Sequence, residues 1–318
     1  MCKISMEKIL ITGAAGQLGS ELYTSLVKEY GEDNVIATDL IESDTSAHIF
    51  EKLDVTDATR LATLVKNYRI TQIYNLAAIL SAVGEKKPQL AWKVNMEGLL
   101  NVLEVASELK IKKIFWPSSI AVFGPGTPSE LAPQETVMNP HSVYGISKLA
   151  GEKWCEYYFL KYGVDIRSLR YPGLIGYKSL PGGGTTDYAV DIYHKAVHGE
   201  TFNCFLKKDT YLPLMYMPDA VKATLKLMQT PAAQIKVRTS YNVAAFSVSP
   251  EEISNSIKNK IHDFKINYQP DFRQEIADSW PKSIDDTAAR NDWGWQPAFS
   301  LDAMTDDMLT NLLHTVKY

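Results

Sequence analysis

The sequence is poor in cysteine. Only 3 of its 318 residues are Cys, and Cys2, Cys155 and Cys204 lie far apart with no C-x-x-C spacing between them. A small disulfide-stabilised scaffold and the usual zinc-binding cysteine patterns are therefore excluded. We expect a protein of a reducing compartment that holds no structural metal.

Positive charge and long apolar runs are also scarce. The 33 Lys and Arg residues are outnumbered by 37 Asp and Glu, which gives a net charge of −4. A surface for nucleic acid or for an anionic membrane is therefore not expected. No apolar run reaches the ~18 residues of a membrane-spanning helix, and the first strand candidate begins within about ten residues of Met1. We expect a cytoplasmic protein, or one of the mitochondrial matrix if a transit peptide has been removed.

The first two-thirds of the sequence alternates short apolar runs with amphipathic stretches. Apolar residues at i, i+3, i+4 and i+7 predict helices at Gln17–Tyr30, Asp57–Tyr68, Pro88–Lys110 and Val143–Tyr162. The runs between them predict strands at Lys8–Thr12, Asn34–Asp39, Glu51–Asp54, Gln72–Leu76, Lys113–Ser118 and Asp165–Arg170. Strands that alternate with helices pair in parallel, so the predicted fold is α/β, a Rossmann-type doubly wound parallel sheet.

This alternation stops after Pro172, where prolines and the triplet Gly182–Gly184 indicate a loop region. The remaining pattern predicts helices near Thr186–His198 and at Pro218–Gln229, Ser249–Lys260 and Ser300–Thr315. Short strands are predicted at Leu214–Tyr216, Thr239–Val243 and Lys265–Tyr268. We expect residues 1–172 to form the main domain and residues 173–318 a smaller C-terminal domain, with some later elements returning to extend the main sheet.

The first predicted strand leads into a helix through Gly13-Ala-Ala-Gly16-Gln17-Leu18-Gly19. In such a turn the first glycine permits the tight bend, the second lets a pyrophosphate approach, and the third allows the helix to pack closely on the strand. The free N–H groups of the helix start face the phosphates. Asp39 closes the second strand, where a carboxylate binds the ribose hydroxyls and repels a 2′-phosphate. These features predict an NAD-binding domain at residues 1–172 and make 173–318 the substrate-binding part.

Tyr144 and Lys148 are four residues apart on a predicted helix and therefore share one face. An ammonium at this position is expected to lower the pKa of the phenol from ~10 toward neutrality, which makes Tyr144 a usable general base. Upstream, Ser118 and Ser119 end a strand and are candidates to bind a substrate hydroxyl. Taken alone, the spacing also fits a solvent-exposed helical pair, and the two serines also fit a turn or a helix cap.

Together these features resemble the extended short-chain dehydrogenases, the family of sugar-nucleotide epimerases and dehydratases. The resemblance spans nearly the whole chain and also includes Leu53–Val55, Asn75–Ala78, Val94–Asn95, Ala121–Gly124 and Arg170–Pro172. It implies that Ser119, Tyr144 and Lys148 are the catalytic residues, with Ser118 as a neighbouring substrate contact. Where the family usually has Tyr, this chain has Phe123, which removes a hydroxyl but no catalytic group.

The resemblance also implies the extent of the NAD site beyond the glycine turn and Asp39. Asp54 and Val55 are expected at the adenine, and Leu76, Ala77 and Ala78 along the dinucleotide. The nicotinamide end is expected to meet Tyr144, Lys148, Tyr171 and Pro172.

Three later segments resemble the L-threonine 3-dehydrogenases of this family: Leu180–Ala189, Leu214–Asp219 and Asp278–Trp293. In those enzymes the glycine-rich loop and the Trp segment close over a small amino acid. This resemblance implies NAD-dependent oxidation of the L-threonine β-hydroxyl to 2-amino-3-oxobutanoate, in threonine catabolism. It further implies a homodimer joined through the helices Pro88–Lys110 and Val143–Tyr162, and a substrate pocket made of Ser81, Ser118, Ser119, Tyr144, Thr186 and Trp280.

Two other functions share this scaffold. A sugar-nucleotide epimerase or dehydratase needs basic groups that reach a nucleotide diphosphate, and between Gly173 and Tyr216 the sequence has four Lys and no Arg. A dinucleotide sensor without activity would lack the catalytic set, yet Ser119, Tyr144 and Lys148 are all present. The sequence therefore favours an oxidoreductase that acts on a small substrate bearing a hydroxyl group.

Overall fold

The computed structural model describes residues 7–41, 47–182 and 184–316. Cys2 and Gly183, which the sequence analysis singled out, lie outside these ranges. Within them, Cys155 and Cys204 are buried free thiols. No helix in the described part of the chain is long and apolar enough to cross a membrane.

A seven-stranded parallel sheet forms the centre of the fold. The strands, in chain order, are β1 (Ile9–Thr12), β2 (Val35–Asp39), β3 (Ile49–Lys52), β4 (Gln72–Asn75), β5 (Lys113–Ser119), β6 (Ile166–Tyr171), β7 (Gly173–Ile175), β8 (Phe202–Cys204), β9 (Leu212–Tyr216), β10 (Tyr241–Asn242), β11 (Phe246–Val248) and β12 (Ile266–Tyr268). The order in the main sheet is β10-β6-β5-β4-β1-β2-β3, and every neighbouring pair is parallel. The chain winds outward in both directions from β1 and β4, so the predicted doubly wound Rossmann-type fold is confirmed.

The described residues form twelve α-helices, some of which cover the two faces of this sheet. They are α1 (Gln17–Tyr30), α2 (Ala58–Asn67), α3 (Ser81–Lys86), α4 (Pro88–Trp92), α5 (Gly98–Leu109), α6 (Val143–Tyr162), α7 (Tyr188–Val197), α8 (Met217–Gln229), α9 (Pro250–Lys258), α10 (Arg273–Asp278), α11 (Thr287–Trp293) and α12 (Leu301–Val316). One apolar core lies between the sheet and α1 and α8. Another lies between the opposite face and α2, α5 and α6. Burial on both faces explains why β1 and β4 are buried at every position.

The predicted helix Pro88–Lys110 is not regular along its length. It begins as α4, widens into a π-helical turn at Lys93–Glu97 and continues as α5. The wide turn carries Asn95, whose amide accepts a hydrogen bond from the Ile79 N–H and donates to the Ile79 carbonyl oxygen and the Ser147 hydroxyl. Such turns interrupt the α-helical pattern without breaking the helix, and the apolar spacing did not reveal this one.

The later part of the chain builds a second core. Two small sheets, β11-β9-β7 and β12-β8, pack with α7, α9 and α12 around buried apolar side chains. One later strand, β10, pairs with β6 and so belongs to the main sheet. The strands β7, β8 and β11 and the helices α3, α10 and α11 were not predicted from the sequence, because segments of three to seven residues are too short to show a period.

Candidate active site

The glycine turn between β1 and α1 forms one wall of the site. Gly13 has a φ of +72°, and a Cβ atom there would lie 2.7 Å from the Ala77 nitrogen. A Cβ atom at Gly19 would overlap the carbonyl oxygen of Gly13, so α1 packs against the turn only because Gly19 has no side chain. Gly16 is the N-cap of α1, and no side chain caps the helix. The open helix start and the bare backbone fit a bound phosphate.

Asp39 lies directly beside this turn, at the carboxyl end of β2. Its Oδ2 accepts a hydrogen bond from the Ala15 N–H at 3.0 Å, and its Oδ1 accepts one from the Leu40 N–H at 2.7 Å. Each carboxylate oxygen has two acceptor sites, so the group retains capacity for a ribose diol. The position fits the predicted role, although Asp39 does not line the cavity described next.

A cavity of about 260 Å³ opens at the carboxyl ends of the central strands. This edge, where the strand order reverses, is where ligands bind in doubly wound folds. The cavity brings together most residues of both predicted sets. From the cofactor set these are Gly13, Gly16, Gln17, Leu18, Gly19, Leu76, Ala78, Tyr171 and Pro172. From the substrate and catalytic sets they are Ser81, Ser118, Ser119, Tyr144, Lys148, Thr186 and Trp280.

Three other predicted cofactor residues do not line the cavity. Asp54 accepts hydrogen bonds from the N–H and hydroxyl of Thr56. Val55 is buried against the position of Gly98 on α5, and the Ala77 N–H donates to the Thr12 hydroxyl at 3.4 Å. These contacts give each residue a structural role, and their contacts with the dinucleotide stay predictions.

Tyr144 stands at the start of α6, where the Ser142 hydroxyl caps the helix by accepting the Gly145 N–H at 3.0 Å. Its phenol is hydrogen-bonded to Ser119, the last residue of β5. The Ser119 hydroxyl also accepts the Ala121 N–H at 3.2 Å, which fixes its position. Burial raises the pKa of Tyr144 to about 12, and the hydrogen bond to Ser119 offsets part of that rise.

Lys148 lies one helical turn beyond Tyr144 and is buried. Its Nζ donates a 2.6 Å hydrogen bond to the Pro117 carbonyl oxygen and faces the Trp116 ring at 4.6 Å from the ring centre. Burial lowers the pKa of Lys148 to about 7. The predicted lowering of the Tyr144 pKa is therefore wrong. Desolvation disfavours the phenolate, and the buried lysine is itself shifted toward its neutral form.

Ser118 lies at the cavity wall, but its hydroxyl proton is donated to another residue of the protein. It donates a 2.6 Å hydrogen bond to Glu152 Oε1, and Arg170 holds the same carboxylate through Nε at 2.9 Å and Nη2 at 2.8 Å. Glu152 and Arg170 have side-chain exposures of 0% and 1%. The group stabilises the end of β5 from behind the cavity. It leaves Ser118 able only to accept a bond from a substrate.

Tyr171, like Ser118, lines the cavity while its hydroxyl is bonded to another part of the protein. Its hydroxyl is bonded to Thr224 and to the Ala220 carbonyl oxygen on α8, inside the main core. The phenol group is therefore engaged by the core and is not available to a ligand.

The cavity is closed on the C-terminal side by the segment before α7. Thr186 packs so tightly against β7 that a Cβ atom at Gly173 would lie 2.7 Å from the Thr186 methyl group. The Gly184 N–H donates to Asp187 Oδ2 at 2.7 Å. The sequence analysis included this segment, Leu180–Ala189, but did not assign Asp187 to the site. It also missed several other cavity residues: Leu80, Pro117, Ile120, Gly173, Leu174, Gly184 and Thr185. A single acidic residue in a segment of small residues is the sequence feature that could have indicated Asp187 as a site residue.

Within the described residues, no group of three or more His, Cys, Asp or Glu side chains is arranged to hold a metal ion. The site instead combines a dinucleotide-binding turn with a Ser, Tyr and Lys set at the same edge of the sheet. That combination defines an oxidoreductase of the short-chain type. Family comparison agrees, because the family described as the NAD dependent epimerase/dehydratase family matches residues 9–244. The chain belongs to this family, and NAD is its cofactor.

Individual relatives are similar over nearly the full length. An uncharacterized epimerase/dehydratase of Staphylococcus saprophyticus is 48% identical over 309 residues, 96% of each chain. The structure of a GalE-like L-threonine dehydrogenase from Cupriavidus necator in its holo form is 55% identical, with a TM-score of 0.95 over 96% of this chain and 99% of that one. A monomeric L-threonine 3-dehydrogenase from a metagenome is 48% identical, with a TM-score of 0.94 over 96% and 99% of the two chains.

Proposed function

We propose that this enzyme is an L-threonine 3-dehydrogenase, which oxidises the β-hydroxyl of L-threonine to give 2-amino-3-oxobutanoate. The observation that carries the proposal is the small cavity in which Ser119, Tyr144 and Lys148 meet Thr186 and Trp280 beside the glycine turn. A space of about 260 Å³ suits an amino acid next to a nicotinamide ring. The likeness to threonine dehydrogenases over the whole chain supports the same assignment.

In this proposal the glycine turn and Asp39 hold the dinucleotide, and Tyr171 and Pro172 border its nicotinamide end. NAD, when bound, supplies the acceptor for the hydride that leaves the β-carbon. Ser119 orients the substrate hydroxyl, and Tyr144 takes its proton. Lys148 places its Nζ 5.4 Å from the centre of the Tyr144 ring, on the same face of α6. Because burial raises the pKa of Tyr144 to about 12, the proton transfer is favoured as the pH rises.

The assay that tests the proposal is run at saturating NAD with L-threonine, UDP-galactose and GDP-mannose in parallel. Absorbance of the reduced cofactor follows oxidation of L-threonine, and chromatography follows conversion of the sugar nucleotides, because epimerases and dehydratases regenerate their NAD in each turnover. We expect activity with L-threonine and none with the sugar nucleotides. Conversion of a sugar nucleotide without threonine activity would instead establish the epimerase or dehydratase alternative. The charges at the site speak against that alternative. Among the described residues that line the cavity, Lys148 is the sole basic side chain, and it already binds the Pro117 carbonyl.

The proposed enzyme serves threonine catabolism in the cytoplasm and forms a homodimer. Support for the dimer comes from apolar side chains that α4 and α6 leave exposed: Leu90, Trp92, Ile146, Trp154, Tyr157 and Leu160. Leu160, near the end of α6, has the largest exposed fraction of this group, 75%. Sedimentation velocity of the wild type and of Leu160→Asp tests this point. A wild-type monomer at micromolar concentration would contradict it.

A further inference from the structure

A second cavity, of about 300 Å³, shares no lining residue with the active-site cavity. Residues 177–180 form one of its walls, and Leu312 of α12 adds an apolar side chain. The end of α7 contributes two imidazole rings, from His194 and His198. The proposed reaction uses neither histidine, so this cavity holds chemistry that the proposed function does not explain.

The two histidines are four residues apart at the end of α7. Side chains at this spacing lie on the same face of a helix, with about 5–6 Å between their Cβ atoms. Two histidines of a zinc-binding helix have the same spacing. The pair therefore has the geometry to chelate one metal ion, and imidazole nitrogens suit Zn²⁺, Ni²⁺ and Cu²⁺.

The ring nitrogens of this pair are in a state that fits a metal ion. His198 Nδ1 lies 2.7 Å from the His194 carbonyl oxygen. Because a carbonyl oxygen only accepts, Nδ1 carries the proton, and Nε2 of the neutral ring keeps its lone pair. Histidines that bind metals usually donate their other N–H to such an oxygen. His194 Nε2 is buried and has no hydrogen-bond partner among the described residues. A buried nitrogen of this kind is satisfied by a bound water molecule or ion.

The other groups around the second cavity decide which class of cation suits it. No carboxylate is found among the described residues that line it. The ammonium of Lys178 is paired outside the cavity, since its Nζ donates to Glu21 Oε2 at 2.7 Å. Hard cations such as Mg²⁺ and Ca²⁺ prefer oxygen ligands, above all carboxylates. Two neutral imidazoles therefore favour a transition-metal ion.

We propose that His194 and His198 bind one divalent transition-metal ion, of the class of Ni²⁺, Zn²⁺ and Cu²⁺, in the second cavity. Water molecules complete its coordination, because the described part of the chain adds no third His, Cys, Asp or Glu to the pair. The site lies outside the active-site cavity and takes no part in the proposed reaction. It therefore stands or falls independently of the substrate.

Isothermal titration calorimetry of the 318-residue chain, without a purification tag, tests the site with NiCl₂ and, as a second probe, MgCl₂. His198→Gln is the main variant, because His198 is exposed and its replacement leaves the core intact. His194→Gln removes the other ligand. His262→Gln is the matched control, since it replaces an exposed histidine that does not line the second cavity. The melting temperature without metal reports folding of each variant, and the Cys2 thiol is common to all of them.

We expect the wild type to bind one Ni²⁺ per chain and to give no heat of binding with Mg²⁺. His198→Gln and His194→Gln should each weaken Ni²⁺ binding by roughly 10- to 100-fold or more, since loss of a ligand costs at least as much as loss of a second-shell partner. His262→Gln should bind as the wild type does. Ni²⁺ should also raise the melting temperature of the wild type and not that of His198→Gln, because a ligand that binds the folded state stabilises it.

Three results would overturn the proposal. The first is a wild type that does not bind Ni²⁺, and the second is a wild type that binds Mg²⁺ as tightly as Ni²⁺. The third is a folded His198→Gln with the Ni²⁺ affinity of the wild type, which would place the bound ion elsewhere on the chain. If His194→Gln does not fold, His198→Gln and His262→Gln decide the question between them.

Discussion

The Nζ atom of Lys148 lies 5.4 Å from the centre of the Tyr144 ring, and it donates its hydrogen bond to the Pro117 carbonyl. The two side chains share one face of α6, as their spacing predicted. The ammonium is nevertheless held at the end of β5. This arrangement explains why burial, and not the neighbouring charge, decides the direction of both pKa shifts.

Replacement of Tyr144 by Phe tests the proposed base. The change removes one hydroxyl, so folding and NAD affinity should survive while kcat falls on the order of 10²-fold or more. Steady-state kinetics with L-threonine measures the effect. Tyr157→Phe is the control, since Tyr157 is an exposed tyrosine of the same helix, and it should leave kcat unchanged. A Tyr144→Phe enzyme with near-normal turnover would rule out the mechanism.

The raised pKa of Tyr144 predicts how the rate depends on pH. With a pKa of about 12 the phenol is protonated at neutral pH, and the fraction of phenolate grows as the pH increases. We therefore expect kcat/KM for L-threonine to rise from pH 6.5 to pH 9.5. Profiles recorded over this range in buffers of constant ionic strength provide the measurement. A profile that peaks below pH 7 would be inconsistent with a phenol as the base.

Lys148 should make the stability of the protein depend on pH. Its pKa is about 7 when folded and 10.5 in the reference state, so between these values the unfolded chain binds a proton that the folded chain has released. The contribution of Lys148 to the free energy of unfolding therefore rises from pH 7 toward pH 10.5. It is lowest below pH 7, because the folded protein there holds a buried positive charge.

Urea denaturation of the wild type and of Lys148→Met at pH 6.5 and pH 9.5 measures this effect. The wild type should gain stability relative to Lys148→Met at the higher pH. Lys153→Met, which alters a lysine with a 60% exposed side chain on the same helix, should show no such dependence. If the free energy of unfolding of the wild type falls relative to that of Lys148→Met between pH 6.5 and pH 9.5, the predicted direction of the pH dependence is wrong.

Asp39→Ala should weaken NAD binding and narrow the preference for NAD over NADP. The variant loses the carboxylate expected at the ribose diol, and the Ala15 N–H of the glycine turn loses its acceptor. Fluorescence titration with both cofactors gives the two dissociation constants. Asp33→Ala, at a carboxylate with an 81% exposed side chain, serves as the control. A wild type that prefers NADP would contradict the role given to Asp39.

Glu152→Gln should destabilise the fold by about 3–5 kcal/mol, the usual cost of breaking a buried ion pair from one side. The substitution leaves the Arg170 charge buried without its counter-ion. Replacing both residues, as in Glu152→Gln with Arg170→Met, should recover part of that loss. Free energies of unfolding in urea measure each variant, with Glu156→Gln as the control on the same helix, at a side chain that is 36% exposed. If Glu152→Gln lowers the free energy of unfolding by no more than Glu156→Gln does, the buried ion pair does not stabilise this edge of the sheet.

The sequence by itself determined the fold and indicated NAD as the cofactor. Each of these features is local: the turn from Gly13 to Gly19 follows a strand and starts a helix, and Tyr144 and Lys148 share one helical face. Alternating strands and helices then leave few topologies open, because parallel strands require crossover helices of one hand. Residues at the carboxyl ends of such strands meet at one edge of the sheet.

Only the tertiary structure decided how the side chains at that edge are engaged. The Ser118 hydroxyl binds Glu152, a residue 34 positions later, and the Arg170 partner of that carboxylate comes from another strand. Asp187 reaches the cavity from a loop whose sequence shows only small and polar residues. The pKa of Tyr144 moved upward because desolvation sums over every element packed around it. Burial and hydrogen bonding between distant segments have no local pattern, and they set the chemistry of the site.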